Sequence, residues 1–330
     1  MPGRGGRRPD CGTMRRLRNV GCVDKEMDVK GAWGHHGTYQ SLAWFWRMVL
    51  LGTWLLCGGA GVVIGNETAA GGEGSEGFAY EVITTEQSQK LKAIRDSYGS
   101  IPNLDTLYED RTHSNGLPYH LYVPAALKKG ETYPLVTFLH GYSDLTIDTH
   151  KGFPKGVWSL PLVQSDHPHI LFVPRYRTFD DMWVQDHYRA MVIETMDALV
   201  EEFNSDPKGP HIDVTRLYLT GFSQGGMGTW NFVRHYPHKF AAAAPLSGFS
   251  QGPQNVEQAA VLKHLPLWIF NGDGDKGVAG SRLSYQMLKR AGARDVRYHE
   301  YEKQGHVIDD FAYFTAGFMD WFFAQKLAKP

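Results

Sequence analysis

The sequence predicts one α/β domain, in which a mostly parallel β-sheet carries helices on both faces and an antiparallel hairpin near its N-terminal side. Short, almost wholly apolar runs recur from residue 135 onwards, and such runs are typical of strands that are buried on both faces. Helix-like stretches alternate with them, as in parallel sheets whose crossovers are helical. No Gly- or Pro-rich linker interrupts residues 80–330.

The first elements of the domain are predicted from local signals. A helix is expected over residues 86–97, where Thr84 begins a capping-box spacing. Two strand-like runs follow at residues 106–111 and 117–123. They flank an Asn-Gly dipeptide that ends at Gly116, and this dipeptide supplies the positive φ of a tight hairpin turn. An antiparallel hairpin at the edge of the sheet is therefore expected.

The remaining strands and helices alternate along the chain. Strands are predicted at residues 135–139, 170–173, 216–220, 241–246, 267–271 and 296–301. Helices are predicted at residues 187–204, 226–235 and 281–291. This alternation is the basis for the α/β class.

Composition excludes several classes of protein. A chain of 330 residues with 42% hydrophobic residues can bury a large core. Its net charge of -1 gives no electrostatic reason to bind nucleic acid. The three cysteines all lie in the first 57 residues, so residues 71–330 cannot form a disulfide or a thiolate metal site. No H-E-x-x-H pair is present, and no cofactor or metal is expected.

Residues 1–70 are set apart as a leader, and residues 71–330 as a single catalytic domain. The leader holds nine Lys or Arg against five Asp or Glu, and residues 48–65 carry no charge. The apolar run 48–57 follows Arg47 and precedes small residues, as in a secretory signal. Export to the periplasm or the exterior is expected, with a membrane anchor as the alternative because this stretch approaches the length of a bilayer span.

One serine has the setting of a nucleophile. Residues 221–225 match G-x-S-x-G, in which small neighbours let a strained strand-to-helix turn expose the serine hydroxyl, here that of Ser223. The same pentapeptide recurs at residues 248–252, but that copy runs into Pro253, which disfavours the helix the motif requires. We therefore assign the nucleophile to Ser223 and interpret Ser250 as a loop serine.

A serine nucleophile needs a histidine base and an acid that orients the histidine. In hydrolases with this motif the chain order is serine, acid, histidine. Asp275 follows one predicted strand and His306 follows another, so both lie at strand ends as required. Asp275 is preferred to Asp273 because the loop must extend from the strand to reach the histidine, although both acids could instead solvate a turn. His306 is preferred to His299, which falls inside a strand.

Two backbone amides are expected to bind the oxyanion of the reaction intermediate. One belongs to Gln224, the residue after the nucleophile, and the other to Tyr142, which follows Gly141 at the end of a strand. The alternative for the second site is a plain glycine turn. Four aromatic residues could line an acyl or aryl pocket, but we assign them no binding role, because such residues are more often core or partly buried packing; they are Trp158, Tyr176, Trp183 and Trp230.

Three segments resemble one family of α/β-hydrolases, the polyhydroxybutyrate depolymerase-like and feruloyl esterase-like enzymes, which are grouped with predicted peptidases. The segments are YPLVTFLHG at 133–141, VTRLYLTGFSQGG at 214–226 and YPHKFA at 236–241. The resemblance spans residues 117–323 and implies an α/β-hydrolase fold. It also implies the catalytic set Ser223, Asp275 and His306, with the amides of Tyr142 and Gln224 as the oxyanion site. Departures occur at Gln224, where relatives usually have methionine, and at Asn271, where a histidine is common.

These observations predict a serine hydrolase that cleaves carboxylic esters through an acyl-enzyme, without a cofactor. The segment 249–265 is too short for a large lid, so the substrate is expected to be a bulky small-molecule ester or a polymeric one. Two alternatives stay open. The same groups can cleave peptides if the leaving amine is protonated, and the fold can also serve as a catalytically silent binding protein.

Overall fold

The computed structural model describes residues 77–98, 107–142, 155–176 and 182–327. The leader predicted over residues 1–70 lies outside these ranges, so its assignment stays a prediction. The described part of the predicted catalytic domain is an α/β structure.

Within these ranges, nine strands form a single sheet in the order β1-β9-β8-β7-β6-β4-β5-β3-β2. The strands are β1 (Glu81–Ile83), β2 (Glu109–Thr112), β3 (Pro118–Tyr122), β4 (Thr132–Leu139), β5 (Ile170–Pro174), β6 (His211–Phe222), β7 (Ala242–Leu246), β8 (Leu267–Gly272) and β9 (Val296–Tyr301). The pairs β2–β3 and β3–β5 are antiparallel, and all other described pairs are parallel. The predicted edge hairpin and the predicted parallel sheet are both confirmed.

Helices lie between the strands. They are α1 (Thr85–Ser97), α2 (Lys155–Trp158), α3 (Pro161–Asp166), α4 (Asp186–Ser205), α5 (Gln224–His235), α6 (Val256–Ala260), α7 (Val278–Arg290), α8 (Asp309–Ala312) and α9 (Phe318–Ala324). The capping box predicted for α1 is present, with reciprocal hydrogen bonds between Thr84 and Gln87 of 3.2 and 2.7 Å. None of the described helices combines the length and apolar character needed to cross a bilayer.

Side chains of the central strands alternate between two apolar cores. In β4, Leu135 and Leu139 enter the core that also holds Trp230 of α5. Val136 and Phe138 enter the core on the other face, which includes Phe322 of α9. Because both faces of the sheet are buried, the strands can be apolar at every position, and this explains why they were recognisable as continuous apolar runs.

Parallel packing brings the carboxyl ends of β6, β7, β8 and β9 to the same edge of the sheet. Ligand sites of open α/β sheets form at such edges. The loops that carry the predicted acid and the predicted base leave the sheet there, after Gly272 and Tyr301. The sheet therefore determines where the loops of the candidate site meet.

Candidate active site

Ser223 occupies a sharp turn between β6 and α5. Its backbone has φ 59° and ψ -116°, a strained conformation for a residue with a side chain. The Ser223 amide donates to the Leu246 carbonyl at 2.9 Å, and the Ser223 carbonyl accepts from Met227 at 2.9 Å. These bonds anchor the strained residue to β7 on one side and to α5 on the other. Strain of this kind is concentrated at functional sites.

The glycines around Ser223 let α5 approach the sheet very closely. A β-carbon on Gly221 would lie 2.5 Å from the Gly225 carbonyl oxygen. On Gly225 it would lie 1.8 Å from the Leu139 carbonyl oxygen. On Gly226 it would lie 2.3 Å from the Leu246 carbonyl oxygen. The small residues that the motif requires are therefore explained by backbone contacts on both sides of the turn.

The predicted acid, base and nucleophile are in contact. His306 Nε2 lies 2.7 Å from Ser223 Oγ, and His306 Nδ1 lies 2.8 Å from Asp275 Oδ2. An ionised carboxylate only accepts hydrogen bonds, so the imidazole proton belongs on Nδ1 when the ring is neutral. Nε2 is then free to accept the serine proton. This arrangement can raise the nucleophilicity of a hydroxyl group.

Asp275 is buried, with 2% of its side chain exposed. Burial by itself would raise the pKa of this carboxyl group. The hydrogen bonds from His306 and from the Gly277 amide at 3.0 Å outweigh that effect and hold the pKa of Asp275 below its ordinary value. Asp275 is therefore ionised across the neutral range. Among the described residues, Asp273 makes no hydrogen bond to His306, and its own amide binds the Tyr301 carbonyl at 3.1 Å.

The two segments that carry the predicted oxyanion amides lie beside Ser223. Gln224 is the first residue of α5, where backbone N–H groups have no partner within the helix. On the other side, a β-carbon on Gly141 would lie 3.6 Å from the Ser223 β-carbon, so the segment that leads into Tyr142 runs directly beside the nucleophile. The side-chain carbonyl of Gln224 accepts a hydrogen bond from the Tyr176 hydroxyl, which fixes the start of the helix.

Two aromatic residues without a predicted role support this segment. The His140 ring packs against both Tyr176 and Trp183, with ring centroids 4.5 and 5.0 Å away. Trp183 Nε1 also donates to the His140 carbonyl at 2.9 Å. The other two aromatics, Trp158 and Trp230, lie in the two cores. No periodicity or motif surrounds Tyr176 and Trp183 in the sequence, so their position could not be predicted.

The second G-x-S-x-G copy forms a wall of the site. Phe249 packs on His306 with ring centroids 5.0 Å apart, and Phe222 packs on the same imidazole at 5.1 Å. Ser250 lies in a 3₁₀ turn and is exposed, with its hydroxyl 2.5 Å from where a β-carbon on Gly280 would be. Ser250 therefore packs on α7. In the sequence, only the repeat of the G-x-S-x-G motif pointed to the segment that contains Phe249.

A second carboxyl group lies close enough to His306 to interact with its charge. Asp309, at the start of α8, is 6% exposed. Burial raises its pKa to about 7, and the neighbouring Asp310 adds to the shift. Between about pH 4 and pH 7 the folded protein thus keeps a proton that the unfolded chain has released. The free energy of unfolding contributed by this group therefore falls as the pH rises through that window.

Replacing Asp309 with asparagine is expected to raise the free energy of unfolding at pH 8 by roughly 2 kcal/mol. Charging the native carboxyl costs up to about 4 kcal/mol, and lost backbone hydrogen bonds offset part of the gain. At pH 5 the difference from wild type should be small. Urea unfolding at both pH values measures it, with the exposed Asp166→Asn at the end of α3 as control. An equal difference at both pH values would contradict the assigned protonation.

Within the described residues, no group of three His, Cys, Asp or Glu side chains is arranged to hold a metal ion. The chemistry of the contacts above is that of proton transfer and nucleophilic attack. A reaction of this kind requires a substrate with an electrophilic carbon.

Known proteins that are similar to this chain include esterases and a thioesterase. A family model described as phospholipase/carboxylesterase matches residues 177–312. The bifunctional acetylxylan esterase/xylanase of Neocallimastix patriciarum is 26% identical over 54% of this chain and 24% of its own length. An acyl-protein thioesterase 1 homolog of Dictyostelium discoideum is 30% identical over 36% of this chain and 53% of its own. An uncharacterized secreted protein of Arthroderma benhamiae is 24% identical over 34% of this chain and 15% of its own.

The chain thus spans between 15% and 53% of the length of these curated relatives. Among solved structures, a thermostable esterase superposes with a TM-score of 0.55 and 29% identity, covering 67% of this chain and 63% of that one. A feruloyl esterase module from Clostridium thermocellum superposes with a TM-score of 0.51 and 14% identity, covering 68% and 89%. The resemblance to α/β-hydrolases drawn from the sequence is confirmed: the chain has an α/β-hydrolase fold and is similar to esterases.

Proposed function

We propose that this protein hydrolyses carboxylic esters with Ser223 as its nucleophile. The observation that carries the proposal is the continuous hydrogen-bond chain from Asp275 through His306 to Ser223. The esterase and thioesterase relatives support the class of bond that is cleaved. Both acyl esters and thioesters react by addition of a nucleophile to a carbonyl carbon.

In the proposed first half-reaction, Ser223 Oγ bonds to the ester carbonyl carbon while its proton passes to His306 Nε2. The negative charge that develops on the carbonyl oxygen is stabilised by the amides of Gln224 and Tyr142. When the intermediate collapses, the bond to the alcohol oxygen breaks, and His306 returns the proton to that oxygen. The products are a free alcohol and an acyl-Ser223 ester.

The second half-reaction repeats these steps with water. His306 takes a proton from water, the hydroxide oxygen bonds to the acyl carbon, and the Ser223 oxygen leaves with the proton from His306. Asp275 stays ionised throughout and stabilises the imidazolium formed in each half. The half-buried rings of Phe222 and Phe249, which flank His306, give the proposed substrate an apolar surface beside the reacting carbon.

We expect the full-length protein to hydrolyse p-nitrophenyl acetate and methyl ferulate. A peptide anilide should be at least 100-fold slower in kcat/KM, because an amine leaves only after protonation whereas a phenolate or alkoxide is a better leaving group. The three substrates, compared at one pH with wild type and Ser223→Ala, test the proposal. Faster cleavage of the anilide would favour a peptidase. No turnover of any substrate, with no labelling by a fluorophosphonate, would favour a silent binding scaffold.

We also propose that the substrate is met outside the cytoplasm. The apolar run 48–57 behind Arg47 and the match to a secreted protein of Arthroderma benhamiae support export. A membrane-anchored form is the alternative. N-terminal sequencing of protein exported by an expression host tests the export proposal. A cleaved signal should give a new N-terminus within residues 58–76. A chain that stays inside the cell with its leader intact would contradict export.

A further inference from the structure

Strand β7 contributes none of the three proposed catalytic residues, yet its end lies among the loops that do. It pairs with β6 on one side and with β8 on the other. The carbonyl of Leu246 accepts the Ser223 amide at 2.9 Å. The amide of the next residue, Ser247, donates to the Phe270 carbonyl in β8 at 2.9 Å. Ser247 is thereby fixed between the nucleophile turn and the acid loop.

The Ser247 side chain holds the backbone of the histidine loop. The residue is fully buried, and its Oγ donates to the His306 carbonyl oxygen at 2.9 Å. A hydroxyl has a single proton to donate, so this bond uses it. The Ser247 side chain therefore anchors the backbone of the residue whose ring contacts both Asp275 and Ser223.

The backbone of Ser247 is held in a costly conformation. Its φ is 47°, in the left-handed region that glycine adopts without strain. Among the described residues, four other than glycine have positive φ, and three of them, Ser223, Ser247 and Phe249, lie at this site. A glycine would relieve the strain at position 247 but would lack the hydroxyl. The hydroxyl is therefore what a serine adds at this position.

We propose that Ser247 is a positioning residue for the proposed ester hydrolysis. By anchoring the His306 backbone to the end of β7, it keeps the imidazole in the orientation in which Nε2 reaches Ser223. The inference rests on the proposed function. The inference goes beyond that function because it assigns a role to a fourth side chain, one that touches neither the substrate nor the reacting atoms.

Ser247→Ala and Ser247→Gly are expected to lower kcat for p-nitrophenyl acetate roughly 10- to 100-fold, because the His306 backbone loses the bond that anchors it and the imidazole is misplaced relative to Ser223. KM should stay within about twofold, since the side chain does not face the substrate. The rate of labelling by a fluorophosphonate should fall by the same factor as kcat, because labelling needs an activated Ser223. The glycine variant removes the hydroxyl and imposes no backbone strain, so its kinetics test the inference even if the alanine variant folds poorly.

Ser284→Ala is the matched control. Ser284 is also fully buried, and its hydroxyl donates to the Gly280 carbonyl at 2.8 Å within α7, away from the three catalytic side chains. It should lose stability but keep kcat within about twofold. If folded Ser247→Gly retains the wild-type kcat and labelling rate, Ser247 has only a structural role and the inference is wrong. If wild-type protein is not labelled at all, the proposed function itself fails.

Discussion

Replacing Ser223 with alanine is expected to lower kcat for p-nitrophenyl acetate by roughly 10⁴- to 10⁶-fold, the loss that follows when a nucleophile activated by a histidine is removed. The remaining amides and the cleft can still bind the ester, so KM should change little. Thermal stability should change little, since alanine keeps the β-carbon and therefore the strained backbone of Ser223. Steady-state kinetics and a thermal unfolding curve of the purified variant measure both effects.

Ser250→Ala is the control that the sequence itself provides, because it changes the same residue type in an identical motif. Ser250 is exposed and lies in a 3₁₀ turn against α7. Its variant should keep at least half of the wild-type kcat. Loss of activity in Ser250→Ala, with activity retained in Ser223→Ala, would show that the nucleophile has been assigned to the wrong copy.

Replacing Gly225 with alanine is expected to cost more than about 4 kcal/mol of unfolding free energy, a large part of the stability of a typical domain. The added β-carbon would lie 1.8 Å from the Leu139 carbonyl oxygen and 2.9 Å from the His140 carbonyl oxygen. Both contacts are with backbone, so no rotamer change relieves them. To make room, α5 must move away from β4, and the nucleophile turn moves with it.

Urea unfolding and the yield of soluble protein measure this effect. Gly305→Ala is the matched control for stability, because a β-carbon on Gly305 would meet no atom within 4 Å and its φ is not in the left-handed region. It should unfold within about 1 kcal/mol of wild type. A Gly225→Ala variant as stable as Gly305→Ala would mean that α5 does not pack against β4 as described.

Much of the fold was predictable because burial on both faces leaves a strong mark on a strand. The predicted strand at 296–301 coincides with β9, and the strand at 135–139 lies within β4. Besides several short helices, two features of the sheet were missed. Strand β1 has only three residues, too few to show any pattern. Strand β6 begins at His211, earlier than predicted, because its first half is partly exposed and mixes polar with apolar side chains.

The candidate site was predictable only where a local motif marked it. Ser223, Asp275 and His306 each follow a strand, and the order of nucleophile, acid and base restricted the choice. Ser247 could not be found in this way, because its partner His306 lies 59 residues away and the contact depends on the path of two loops. The same holds for Trp183, which reaches the His140 carbonyl across 43 residues.

The most direct test of the account is to label wild-type protein with a fluorophosphonate and to locate the modified residue by peptide mass spectrometry. One equivalent of label on Ser223, absent from Ser223→Ala and unaffected in Ser250→Ala, is the predicted result. Replacing His306 with glutamine should slow the labelling strongly, since the serine proton then has no base to accept it. Label on Ser250, or no label on correctly folded protein, would contradict the assignment of Ser223, His306 and Asp275 as a working catalytic set.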